Sequence, residues 1–170
     1  MGRSCCGSKP DPAMSNRPLA RAFFLYAPRI GLVLSVLLFI ACLFNDAYGF
    51  KSNGTVKGTP AYFVLLVGWY GVLVGGNLGW LANPALLGGW LGFVAGKRTL
   101  GAASTLLALA LMLRFLVDPT VMLNENADQR TFDVYGLGYW LWLASAATLL
   151  LAYALAALPT DFMDLEKGSS

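Results

Sequence analysis

The stretch GWYGVLVGGNLGWLANP, Gly68 to Pro84, decides how this chain folds. It is apolar enough to sit in lipid, yet it carries five glycines, two asparagines and a closing proline. It belongs to a longer segment, residues 61–96, in which 36 residues pass without a charge. As one straight helix that segment would be about 54 Å long, against a bilayer hydrocarbon core of about 30 Å. It must therefore break. Asn83-Pro84 is the expected place, because Asn caps a new helix and Pro is tolerated at its first position. On this reading Ala61–Leu81 crosses a membrane, and Pro84–Gly96, about 20 Å long as a helix, is too short for a full span.

The rest of the chain has the same character. Its 170 residues are 57% hydrophobic and 12% charged, with a mean hydropathy of +0.61. Soluble domains have about a quarter of their residues charged, so this composition predicts an integral membrane protein. Further apolar runs occupy Ile30–Phe44, Thr99–Val117 and Tyr135–Leu158, and nearly all the charge falls between the runs. The expected organisation is a disordered cytoplasmic tail over 1–17, a helical transmembrane domain over 18–158 and a polar tail over 159–170.

Charge placement sets the expected orientation. Arg3, Lys9, Arg17, Arg21 and Arg29 precede the first span, which puts the N-terminus in the cytoplasm by the positive-inside rule. RPLARAFFLYAPR, residues 17–29, mixes arginines with aromatic residues and is expected along the inner interface, turning into the membrane at Pro28. Two topologies remain open. In one, four helices span and Pro84–Gly96 is a re-entrant or interfacial half-helix; 8 Lys and Arg then lie inside and 4 outside. In the other, Pro84–Gly96 is a thin fifth span, and the split is 7 to 5. The positive-inside rule favours the first, an all-α fold with four transmembrane helices. The loops Asp46–Pro60 and Asp118–Asp133 are read as solvated connections.

The glycines are regularly spaced. Gly71, Gly75 and Gly79 recur every four residues, and so do Gly88, Gly92 and Gly96. On a helix each set leaves a groove where another backbone can approach, the small-xxx-small contact of membrane helices. The pattern G-W-x-G-x-x-x-G occurs twice, at Gly68–Gly75 and Gly89–Gly96. Inverted-repeat transporters use duplicated units of this kind, but chance in a glycine-rich region and ordinary helix packing account for it more simply. Polar groups within the runs are few. Asn77 is the candidate for an interhelical hydrogen bond or a substrate contact, whereas Asn83 is read as a cap. Arg114, four residues before Asp118, is expected to snorkel and pair locally. Ser104, Thr105, Ser145 and Thr148 can bond their own helix. Trp80, Tyr135, Tyr139 and Trp140 suit an interfacial aromatic belt, and Trp69 lies deeper in its run.

Several chemistries are excluded or weakly supported. The chain has no His, which removes Ser-His and Cys-His nucleophiles and the commonest metal ligand. No Asp or Glu lies well inside a run, and no phosphate-cradling GxxxxGK[ST] occurs. Asp161 and Asp164 alone make a weak metal site. Cys5, Cys6 and Cys42 do not form a disulfide framework; MGRSCC departs from the myristoylation pattern at Cys6. FIAC, Phe39 to Cys42, looks like a lipoprotein cleavage box but is read as part of a retained span. Asn53-Gly54-Thr55 matches a glycosylation tripeptide, read as coincidence. An enzyme is not expected, and no cofactor, metal or nucleic acid is implied.

With GWYGVLVGGNLGWLANP followed by GYWLWLAS, Gly138 to Ser145, the chain resembles small bacterial multi-pass membrane proteins of unassigned function. They carry a similar GW…WLANP segment and a late Tyr-Trp-rich span. The resemblance covers the chain from the second span onward. It implies the inner (plasma) membrane as the location, and no activity or site residue.

Two functions are therefore expected to compete. One is a non-enzymatic membrane protein acting through helix–helix contacts, as an accessory or assembly subunit or a homo-oligomer. Its partners would be membrane lipids and either a second copy or another membrane protein. The other is a small oligomeric transporter or channel with a broken-helix site near Asn77–Pro84, drawing on Asn77, Asn83, Trp69 and Arg114.

Overall fold

The computed structural model describes residues 17–52, 54–73, 77–122 and 129–157. The expectations for Cys5, Cys6, Asn53, Gly75, Asp161, Asp164 and the two tails fall outside these residues. The described chain is mostly helical: α1 (Arg17–Leu43), α2 (Ala61–Leu73), a 3-10 turn (Leu78–Leu81), α3 (Ala82–Val94), α4 (Arg98–Val117) and α5 (Leu137–Ala157). Three helices are long and apolar enough to cross a membrane: α1 over Tyr26–Leu43, α4 and α5. A fourth crossing is available from the bent pair Ala61–Leu73 and Leu78–Val94. Pro28 lies inside α1, which runs on through residues 17–29, so the expected turn at Pro28 does not occur.

The break falls elsewhere than predicted. α2 stops at Leu73, and the chain turns by 117° before Leu78–Val94. Asn83 and Pro84 are instead the second and third residues of α3. A proline there costs little, since first-turn N–H groups have no intrahelical acceptor in any case. Gly75-Gly76-Asn77, three poor helix formers in succession, are the weaker part of the segment.

The two halves differ in burial. Ala61 is the one buried residue among those of α2, whereas α3 buries Ala82, Leu86, Gly89 and Gly92. The central core joins α3, α4 and α5 through Leu86, Ala108, Met112, Ala146, Leu149 and Tyr153. The reason is size. α3 presents a face of small residues to α4, and a Cβ built on Gly92 would lie 2.6 Å from the Gly101 Cα. α2 leaves Phe63, Leu66, Trp69 and Leu73 exposed, and its close backbone approach is to Trp80 at Gly68 and not to a second helix.

Polar side chains link the helices where the apolar surfaces meet. Trp90 Nε1 donates to Ser35 Oγ at 3.0 Å, and Ser35 Oγ donates to the Ser145 carbonyl at 2.7 Å, joining α3, α1 and α5 in series. Tyr153 Oη donates to the Gly89 carbonyl at 2.6 Å. Ser104 Oγ reaches across to the Ala85 carbonyl of α3, whereas Thr105 and Ser145 bond within their own helices as expected. α1 lies against α5, where a Cβ on Gly31 would meet the Ala152 Cβ at 2.8 Å.

The all-α expectation is corrected by a small sheet at one end of the bundle. β1 (Asp46–Ser52) and β2 (Thr55–Pro60) form an antiparallel hairpin, and β5 (Val134–Tyr135) pairs with the other edge of β1. β3 (Thr120–Met122) pairs separately with β4 (Gln129–Thr131). Gly54 takes φ 79°, the left-handed conformation that a tight hairpin turn requires. The loops read as solvated connections are thus partly sheet. A ring cluster ties that sheet to the helices, with buried Phe132 at its centre. It stacks on Tyr48 at 5.0 Å and on Phe115 at 5.3 Å, and meets Tyr135 edge-on at 4.9 Å. Tyr139 Oη donates to the Met112 carbonyl, joining α5 to α4 beneath the cluster.

Candidate functional site

Because α2 turns away from α3 by 117°, it does not close against the bundle, and a slot of about 790 Å³ remains beneath it. One wall is α2 from Phe63 to Gly71. The opposite wall combines Phe39, Cys42 and Leu43 at the end of α1 with Tyr48 of β1, Phe115 of α4 and Tyr139 and Trp142 of α5. Asn77, Gly79, Trp80 and Asn83, from the 3-10 turn and the start of α3, close one end.

The sequence of the 3-10 turn explains the geometry there. Asn77 is its cap: Oδ1 accepts from the Gly79 N–H at 2.8 Å, and Nδ2 donates to the Asp118 carbonyl at 2.7 Å. Asn83 makes the interhelical bond instead, accepting from Trp142 Nε1 at 3.0 Å while Nδ2 donates to the Trp80 carbonyl. Asn77 thus makes the expected bond to another helix end, at Asp118, and also the cap, whereas Asn83, expected as a cap, lies inside α3 and bonds across to Trp142. Trp80 fastens α2 to the turn: Nε1 donates to the Leu65 carbonyl at 2.8 Å, and its ring lies against Gly68.

The five groove glycines among the described residues separate into different uses. Gly79 packs on the Phe115 ring, Gly88 on Ser104 and Gly92 on the Gly101 backbone, all within this chain. Gly96 is not a groove residue. With φ 71° it ends α3 in a Schellman motif, the Lys97 N–H bonding the Gly92 carbonyl and the Gly96 N–H the Phe93 carbonyl. A Cβ on Gly71 would meet nothing within 4 Å, and Gly71 lines the slot. The two copies of G-W-x-G-x-x-x-G accordingly sit in unlike surroundings. Trp69 is half exposed and lines the slot, whereas Trp90 packs edge-on against Phe39. Arg114 is exposed near the end of α4, and the Asp118 carboxylate accepts from Thr120 Oγ1 at 2.7 Å instead of pairing with it. Gly101 and Gly89 were missed by the four-residue spacing. Tyr153, whose hydroxyl lies over Gly101, gives no sequence signal for that contact.

The slot's chemistry follows from its walls. No Lys, Arg, Asp or Glu lines it among the described residues, and no group of three potential metal ligands occurs there. Both wall amides are already engaged with the chain itself. Tyr48 and Tyr135 at the sheet end have their phenols pushed above the usual tyrosine range by burial, so they stay neutral hydrogen-bonding groups at ordinary pH. The slot is open along one side, so it is occupied in the folded protein by whatever surrounds it there, solvent, lipid or a guest. A helical bundle with three to four membrane-length helices, a small sheet at one end and an uncharged slot under a bent helix is the class that this fold and site define. No family model matches the chain, and neither a curated protein nor a solved structure matches it.

Proposed function

We propose that this chain is a non-enzymatic, multi-pass membrane protein that works by holding an apolar guest in the slot beneath α2. The observation that carries this reading is the slot itself, about 790 Å³ with no charged residue on its walls and its amides already bonded within the chain. That volume is in the range of small-molecule sites, which run to about 300–1,000 Å³. Association through the glycine grooves is the weaker form of an accessory role, since Gly79, Gly88 and Gly92 are covered within the chain.

The proposed setting is the bacterial inner membrane, with α1, α3, α4 and α5 crossing and α2 lying at the outer surface. The 3-10 turn and α3 together rise about 28 Å, close to the hydrocarbon thickness. Lys97 and Arg98 then face the cytoplasm with both termini, as the positive-inside rule prefers. Reporter fusions at Lys97 and after Ala157 are expected to report the cytoplasm at both sites. An extracytoplasmic signal at both would sink this topology.

Guest binding is tested by filling the slot. Gly71→Phe adds a ring where a Cβ has open space, so α2 should stay folded. Solvent extraction of the purified protein is expected to yield an apolar compound from wild type and little from the variant, with unchanged circular dichroism. Wild type carrying no such compound would refute the reading. The transport alternative draws on the 117° break beside Asn77, but no charged side chain among the described residues lines the slot to draw an ion in.

A further inference from the structure

We infer that the guest is the acyl hydrocarbon of a bilayer phospholipid, held without regard to its headgroup; this rests on the guest-binding reading above. Either water or lipid must fill the slot, and its walls choose between them. Apolar cavities stay dry unless they offer a water several polar partners. Here Asn77 and Asn83 at the closed end have both amide atoms bonded within the chain, which leaves one N–H apiece, fewer partners than a buried water needs.

Depth points the same way. The slot's upper wall includes Tyr48 and Thr120 beside the sheet, whose exposed Lys51, Lys57 and Asp133 belong in water. Its lower wall includes Phe39 and Trp142, only four to five residues inside their helix ends. This is the level at which aromatic side chains meet the junction of headgroup and hydrocarbon. The slot runs beside nine residues of α2, about 12 Å of helix, a length along which an acyl-chain segment can lie.

Its polar remainder is suited to an ester. Each wall amide carries two N–H groups of which the structure uses one, so Asn77 and Asn83 retain a donor apiece. A glycerolipid supplies ester carbonyl acceptors at that level. No cation lines the slot to grip a phosphate, so recognition falls on chain and ester, and the headgroup stays outside.

The test is native mass spectrometry of detergent-stripped, full-length protein titrated with phosphatidylcholine, phosphatidylglycerol or free palmitic acid. One phospholipid per chain is expected, with the two phospholipids equal within about twofold and insensitive to salt. Gly71→Phe, or Val64→Trp as a second filling variant, is expected to weaken retention by about tenfold or more. Equal retention by both filled variants would mean surface lipid only and would overturn the inference. Strong preference for the anionic phospholipid would overturn its headgroup indifference. Retention of palmitic acid but of neither phospholipid would overturn the inference and leave guest binding standing; retention of nothing would overturn both.

Discussion

Gly92→Leu is expected to destabilise the protein by about 3 kcal/mol or more, since overpacking a close contact costs about 1–3 kcal/mol and this contact has little freedom to relax. The Cβ of any residue at 92 would lie 2.6 Å from the Gly101 Cα and 2.9 Å from its nitrogen, so two backbones would have to part. The Tyr153 hydroxyl, 3.3 Å from the same point, is tied by its bond to the Gly89 carbonyl. The measurement is thermal unfolding in detergent, with Leu91→Met as control. That control should be neutral, because Leu91 is exposed and methionine is as good a helix former. A Gly92→Leu protein that melts with wild type, or a control that melts as early, would show that α3 and α4 do not meet at these glycines.

Phe132→Ala should have a comparable effect for the opposite reason, by removing volume. Phe132 is 6% exposed and is the ring around which Tyr48, Phe115 and Tyr135 assemble. Truncating a buried Phe costs about 3–5 kcal/mol. The loss should be local, because the cluster joins the sheet to α4 and α5. Hydrogen exchange is expected to accelerate in β1 and β5 while the Leu86, Met112 and Leu149 core keeps its protection. Phe132→Leu, which retains most of the volume, should lose much less. If β1 stays protected in the alanine variant, its backbone pairing and not the ring cluster holds the sheet in place.

Much of this was open to reading in the chain, and the misses have specific causes. The uninterrupted run over residues 61–96 exceeds a bilayer, so a break had to follow. Its position was misjudged because Pro84 outweighed Gly75-Gly76-Asn77, although a proline in a first turn does not end a helix. The hairpin had a signal: Asn53-Gly54 between Tyr48 and Phe50 on one side and Val56 on the other is a strong two-residue turn cue. Read only as part of a polar loop, the pair loses that cue. Regular spacing selected Gly96, which the structure uses as a helix stop, and passed over Gly101, which pairs with Gly92. Periodicity reports where small residues line up on one helix, not which of them face a neighbour.

What the sequence determined by itself is local and additive. Hydropathy sums along a segment, so the three membrane-length helices, the scarcity of buried charge and the necessity of a break all follow from residues near one another. Only the tertiary structure decided which half of the broken segment joins the core, which glycines become contacts and where a slot opens. Those outcomes depend on partners far along the chain. Asn83 meets Trp142 across 59 residues, and Gly89 meets Tyr153 across 64. Between apolar helices in lipid the hydrophobic effect does not choose among faces, so the fit of small surfaces and a few hydrogen bonds make the choice. α3 offers such a surface to a second helix, and the space left beneath α2 is the candidate site.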